Sequence, residues 1–370
     1  MAGAAGVVTM RRGIRAGYIS PVRALSRLID APALRRRTLL LFAALAAANV
    51  AAWVWAVAAF QHYPLLLGTA LLAYGLGLRH AIDADHIAAI DNVTRKLMQA
   101  GERPMASGFF FSLGHSTVVV LASLAIAATA TALGSNFRAL RDLGGIVGTS
   151  ISAVFLLAIA AMNLVILASV YRAFHRVKNG GTLAADDLDV LLSGGGVLAR
   201  VFRPLFGIVR KSWHMYPLGL LFGLGFDTAT EIALLGISAA EAAKGMPIWS
   251  IMVFPALFTA GMSIVDTADS VLMVGAYGWA FTKPMRKLYY NLTITFVSVL
   301  VALLVGGIEA LGLIAKRADL HGGFWDAVAV LNDNFGMLGY LIVGLFIVAW
   351  GVSALVYRVK GYDSLEVAEG

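Results

Sequence analysis

Long apolar runs alternate with short polar intervals along this chain, and most of the runs are too long for the core helices of a soluble domain. An α-helix of about 20 apolar residues crosses the hydrocarbon core of a bilayer. Eight runs reach or exceed that length, at about 38–60, 64–90, 107–130, 143–173, 215–239, 248–280, 289–315 and 336–357. The pattern therefore predicts an all-α integral membrane protein with about eight transmembrane helices. The fourth run is long enough to tilt or to protrude from the bilayer. The seventh and eighth are plain apolar helices except for Glu309. Asn49 is the one strongly polar residue of the first and reads as a helix-packing group.

Composition agrees, with 59% hydrophobic residues, 14% charged residues and a mean hydropathy of +0.81. Cysteine is absent, which removes disulfides and thiolate metal sites and leaves histidine, carboxylate and backbone oxygen as possible metal ligands. The net charge of +8 would suit nucleic acid in a soluble protein, but in a multispan protein basic residues mark cytoplasmic loops. Of the 29 Lys and Arg, 23 fall in the N-terminal stretch, the intervals after spans two, four and six, and the C-terminus. Only Arg138, Arg141, Lys244, Lys316 and Arg317 fall in the opposite intervals, and Arg79 lies inside span two. The expected partner is thus the lipid bilayer and not nucleic acid, with both termini on the cytoplasmic side of the inner membrane.

The domain plan is a basic extension at 1–34, a permease domain at 35–360 and a tail at 361–370. Nothing in the extension has the form of a cleavable signal, so the first span is expected to be retained. The extension reads equally as an interfacial helix or a basic tail. Residues 175–213 form a cytoplasmic linker whose Gly194-Gly195-Gly196 has neither the preceding strand nor the Gly-Lys-Ser/Thr of a phosphate loop. The interval near His321, Trp325, Asp326 and Asp333 reads as a solvated amphipathic segment.

Chemistry concentrates at the end of span two, in Leu78-Arg79-His80-Ala81-Ile82-Asp83-Ala84-Asp85-His86-Ile87. Ionisable groups at membrane depth are expensive and mark function by default. On a continuous helix, at about 100° per residue, His80, Asp83, Ile87 and Asp91 share a face and His86 lies about 60° from Asp83. Asp85 projects elsewhere and joins only if the helix is locally distorted. Two imidazoles and a carboxylate indicate a transition metal, the particular ion being open. A buried ion-pair network around Arg79 would explain the carboxylates but has no use for two histidines. His115, in Phe111-Ser112-Leu113-Gly114-His115-Ser116, adds a third imidazole within span three.

Spans two and three also resemble spans five and six. Gly75-Leu76-Gly77-Leu78 matches Gly223-Leu224-Gly225-Phe226, and Phe111-Ser112-Leu113-Gly114-His115-Ser116 matches Phe258-Thr259-Ala260-Gly261-Met262-Ser263. Because three spans separate the units, they run in opposite directions, which predicts an inverted repeat suited to alternating access. Asp227 with Glu231, and Asp266 with Asp269, fall at helical spacing. Apart from Arg79, no Lys or Arg is expected inside the spans, so these acids need a transported cation or protons.

Four segments resemble the nickel–cobalt transporter family of eight-span permeases: Arg79 to Ile87, Phe110 to Val119, Leu224 to Glu231 and Gly261 to Asp269. The resemblance implies metal-site roles for His80, Asp83, Asp85, His86, His115, Asp227, Glu231, Asp266 and Asp269. It also implies high-affinity uptake of Ni²⁺ or Co²⁺ by a single polypeptide, the metal being substrate and not cofactor. No ATPase partner is implied. The competing readings are a permease or exporter for zinc, manganese or iron, and an intramembrane metalloenzyme. The chain has neither the His-Glu-x-x-His of a zinc protease nor the many histidines of a di-iron desaturase.

Overall fold

In a computed structural model of the chain, the described residues are 32–129, 136–178, 209–224, 229–280 and 284–360, and they are helical almost throughout. Helices α1 (Pro32–Phe60), α2 (Pro64–His80), α3 (Ala84–Gln99), α4 (Ser107–Thr129) and α5 (Asn136–Lys178) come first. A 3₁₀ turn at Ser212–His214 leads into α6 (Met215–Gly223) and α7 (Ala229–Ala243). The remainder is α8 (Ile248–Ile251), α9 (Val253–Ala280), α10 (Pro284–Ala318), α11 (Gly323–Asp333) and α12 (Phe335–Val359). Six stretches of these helices are long and apolar enough to cross a membrane, or seven if α2 and α3 count as one bent span. Span five corresponds to two shorter helices, α6 and α7, on either side of 225–228. The amphipathic interval before α12 folds as α11, which buries only Val328.

Span two is not the continuous helix that the spacing predicts. It stops at His80, turns through 81–83 and resumes at Ala84 with a bend of 49°. Asp83 takes the N-cap position of α3 with extended backbone (φ −65°, ψ 148°), a site that favours aspartate. Its side chain turns back to His80 instead of capping the helix. The common face of His80, Asp83, Ile87 and Asp91 is therefore broken.

Small residues bring the central helices close. Any Cβ at Gly77 on α2 would strike the carbonyl of Phe258 on α9, and one at Gly261 would meet the backbone of Tyr74 and Leu78. A parallel set joins α6 to α4: Gly219 lies against the Phe111 carbonyl, and Gly114 against the backbone of Tyr216 and Leu220. Without a hydrophobic drive between helices in lipid, such close backbone approach supplies much of the packing. Helices α4 and α9 also pack on each other, with α3 against α9 and α7 against α4. Outward, α1 and α12 expose large apolar side chains such as Leu40, Val54, Leu341 and Ile347, as a bilayer-facing surface requires.

Candidate metal centre

The break in span two delivers both of its histidines to one place. His80 closes α2, His86 lies in the first turn of α3, and His115 reaches them from α4; all three are buried. Their ring centroids are 4.6, 4.7 and 4.8 Å apart, and one ligand nitrogen from each can be chosen so that all lie within 4.8 Å of one another. Imidazole nitrogens bind transition metals at about 2.1 Å, so two ligands of one ion lie at most about 4.2 Å apart. A slight contraction would close the cluster on an ion. Phe111 stands edge-on to His86 and Phe258 beside His80, giving the histidines an apolar wall.

Each histidine has its own carboxylate. His80 Nδ1 lies 3.1 Å from Asp83 Oδ2, His86 Nδ1 lies 3.3 Å from Asp266 Oδ2, and His115 Nε2 lies 2.9 Å from Glu231 Oε1. Carboxylates behind metal-binding imidazoles fix their tautomer and orientation. His86 Nε2 and His115 Nδ1 are buried without a hydrogen-bond partner, while His80 Nε2 sits 2.9 Å from His115 Nε2. Two of these pairs join different helices. Helix α3 brings His86 to the acid of α9, and α7 brings Glu231 to the histidine of α4.

The other residues singled out in the sequence take different places. Asp85 is half-buried with Oδ1 unpartnered, outside the histidine triangle. Asp269 follows Asp266 along α9, has a buried, unpartnered Oδ2, and lines a cavity of about 500 Å³ between α9, α10 and α12. Asp227 lies outside the described residues. The Arg79 side chain makes no direct ion pair among the described residues.

Two features are not legible in the sequence. Thr230, just before Glu231, places Oγ1 3.0 Å from His80 Nδ1. Arg95, expected in a cytoplasmic loop, is only 1% exposed because α3 runs on to Gln99. The premise that Arg79 is the sole basic residue within the spans is corrected accordingly. The first loss of apolar periodicity marked the end of span two too early, since a polar helix end can still be buried by its neighbours.

A family model described as "High-affinity nickel-transport protein" matches residues 66–356. The chain belongs to this family. A high-affinity nickel transport protein of Cupriavidus necator is 63% identical over 333 residues, covering 90% of this chain and 95% of that relative. Within the same family, the nickel transporter NicT of Mycobacterium tuberculosis is 45% identical over 330 residues (86% and 88% covered). The cobalt transport protein NhlF of Rhodococcus rhodochrous is 41% identical over 301 residues (80% and 84% covered). No solved structure matches the chain.

Proposed function

We propose that the protein is a single-polypeptide permease for high-affinity uptake of Ni²⁺ and Co²⁺, with His80, His86 and His115 as the metal-binding core. The observation that carries this reading is the convergence of three buried imidazoles, each with its own carboxylate, in a member of a nickel-transport family. Imidazole suits nickel and cobalt better than an all-oxygen site would. Asp83, Glu231 and Asp266 orient the histidines, Asp85 and Asp269 line the way to and from them, and Asp227 joins the same task by its helical spacing from Glu231 in the sequence.

The topology that fits this role has eight spans, counting α2 with α3 and α6 with α7 as two broken ones. Both termini, the extension 1–34, the linker 175–213 and the tail 361–370 then lie in the cytoplasm, with the permease domain at 35–360. Broken spans around a central site suit an inverted repeat that alternates access. The matched glycine contacts support a repeat in a different register from the one expected from the sequence, pairing Tyr74-Gly75-Leu76-Gly77-Leu78 with Tyr216-Pro217-Leu218-Gly219-Leu220 in place of Gly75-Leu76-Gly77-Leu78 with Gly223-Leu224-Gly225-Phe226. A divalent ion driven inward by 100 mV gains about 4.6 kcal/mol, twice the single-charge value. That is enough to concentrate it more than about a thousandfold without ATP or a resident cofactor.

Radiolabelled nickel and cobalt uptake in cells, with zinc, manganese and iron as competitors, tests the function. Saturable uptake blocked only by nickel and cobalt is expected; preferential transport of a competitor, or export, would replace this reading with that of another metal permease. Topology is tested by single cysteines at Lys178 and His321 in this cysteine-free chain. They should label from opposite faces of the membrane.

A further inference from the structure

Beyond the histidines, the contact between α3 and α9 continues as a polar track that metal binding by the cluster leaves unused. Asp266 stands at its head beside His86, and Asp269 follows on α9. Asp91, fully buried on α3, accepts hydrogen bonds from the Tyr277 hydroxyl of α9 and, at 2.8 Å, from Ser298 of α10. Arg95 ends the track one helical turn on. Its guanidinium donates to Thr295 Oγ1 at 3.0 Å and to Asn92 Oδ1 at 3.4 Å, and its buried Nε has no partner. Asn92 Oδ1 is also held by Asn163 of α5 at 2.8 Å.

This arrangement is unusual for a buried arginine. A guanidinium is always charged, and its ordinary low-energy solution in an apolar interior is a direct, often bidentate, pair with a carboxylate. Here the carboxylate and the guanidinium are near neighbours on one helix, yet each is bound by neutral groups. Arg95 makes no ion pair among the described residues. The positive charge therefore balances the track through space, while Asp269 Oδ2 has no hydrogen-bond partner and the Asp91 oxygens are held only by neutral hydroxyls that a cation could displace. Without that charge, the two carboxylates would offer a divalent ion a hard oxygen site close to the histidines.

We propose that Arg95 is a tethered counter-cation, a positioning residue that keeps the Asp91–Asp269 stretch from trapping the metal ion once it has left the histidines. The ion passes the acids because Arg95 already supplies much of the charge they need. This inference rests on the metal-transport reading above. Asn163, Thr295, Tyr277 and Ser298 hold the charges at their spacing.

The test is Arg95→Gln in the full-length protein, compared with wild type for radiolabelled nickel uptake in vesicles and for equilibrium nickel binding in detergent. Maximal uptake should fall by about tenfold while KM stays level or drops, because release and not capture is impaired. Bound nickel should rise by one ion per chain. Arg95→Lys, which keeps the charge, should restore most of the turnover, and adding Asp91→Asn to Arg95→Gln should abolish the extra binding. Wild-type turnover and stoichiometry in Arg95→Gln at normal abundance would overturn the proposal. If Arg95→Gln fails to accumulate, Asp91→Asn alone takes its place: the Arg95 charge, then unopposed, should repel the passing ion and lower maximal uptake several-fold at unchanged stoichiometry. Wild-type turnover in Asp91→Asn, or its failure to accumulate as well, would overturn the proposal and assign the pair to folding alone. A wild-type protein that neither binds nor transports nickel would defeat the transport reading instead.

Discussion

The two ends of α3 handle buried charge in opposite ways. At its start, His86 leans on Asp266 through one nitrogen and leaves the other without a partner, in company with His80 and His115. At its end, Asp91 and Arg95 have their hydrogen bonds supplied by hydroxyls and an amide from α3, α9 and α10. An unpartnered buried nitrogen is costly unless something arrives to use it. A network of this kind, largely satisfied, instead rigidifies its surroundings. If the three histidines are the metal-binding core, the first end receives an ion and the second stays put around the fixed charge of Arg95.

The contrast is easiest to break at the receiving end. His86→Ala should abolish nickel and cobalt uptake while the protein remains in the membrane, and purified protein should bind the metal at least about a hundredfold more weakly. Unchanged affinity would remove His86 from the centre. Next in size are Asp266→Asn and Glu231→Gln, which keep shape and some hydrogen bonding but remove the charge behind one imidazole. Losses of about 10- to 100-fold in metal affinity are expected, measured by isothermal titration. Equal losses in uptake and none in binding would instead place these acids on the path and not behind the ligands.

Metal dependence of stability separates the two ends directly. Nickel at a hundred times its Kd should stabilise the wild-type protein by about 2.7 kcal/mol, a rise in melting temperature that chelation reverses. His86→Ala should lose this rise. Asp91→Asn should lower the baseline melting temperature yet keep it. The smallest effects concern the turn that feeds the centre. Gly339 of α12 packs against the Ile82 carbonyl, where a Cβ would collide with backbone. Gly339→Ala should therefore displace the turn at 81–83 and weaken metal binding severalfold. Thr230→Val should weaken it by a few-fold by removing one of the partners of His80 Nδ1, with Thr230→Ser restoring it; identical titrations for Val and Ser would make Thr230 a packing residue.

Much of this was legible in the apolar pattern. Bilayer thickness dictates span length, so the placement of α1, α4, α5, α9, α10 and α12 follows from counting apolar residues. Charge at membrane depth is scarce enough that His80, Asp83, His86, His115, Glu231 and Asp266 stood out from sequence alone. The break at 81–83 was harder to read, because an aspartate in an apolar run is compatible both with a helix interior and with an N-cap. In the structure Asp83 takes the N-cap backbone while its side chain turns back to His80, three residues earlier.

The sequence by itself determined which residue types are available at membrane depth: imidazoles and carboxylates, no thiols, and almost no lysine or arginine to neutralise the acids. Only the tertiary structure decided how they divide the work. Which carboxylates stand behind His86 and His115, that Thr230 joins His80, and that Arg95 is buried beside Asp91 all depend on helices distant in the chain being pressed together at glycines. Helical periodicity sets the face on which a side chain lies, but says nothing about which other helix meets that face. That is settled by backbone approach, which in lipid is governed by where side chains are missing.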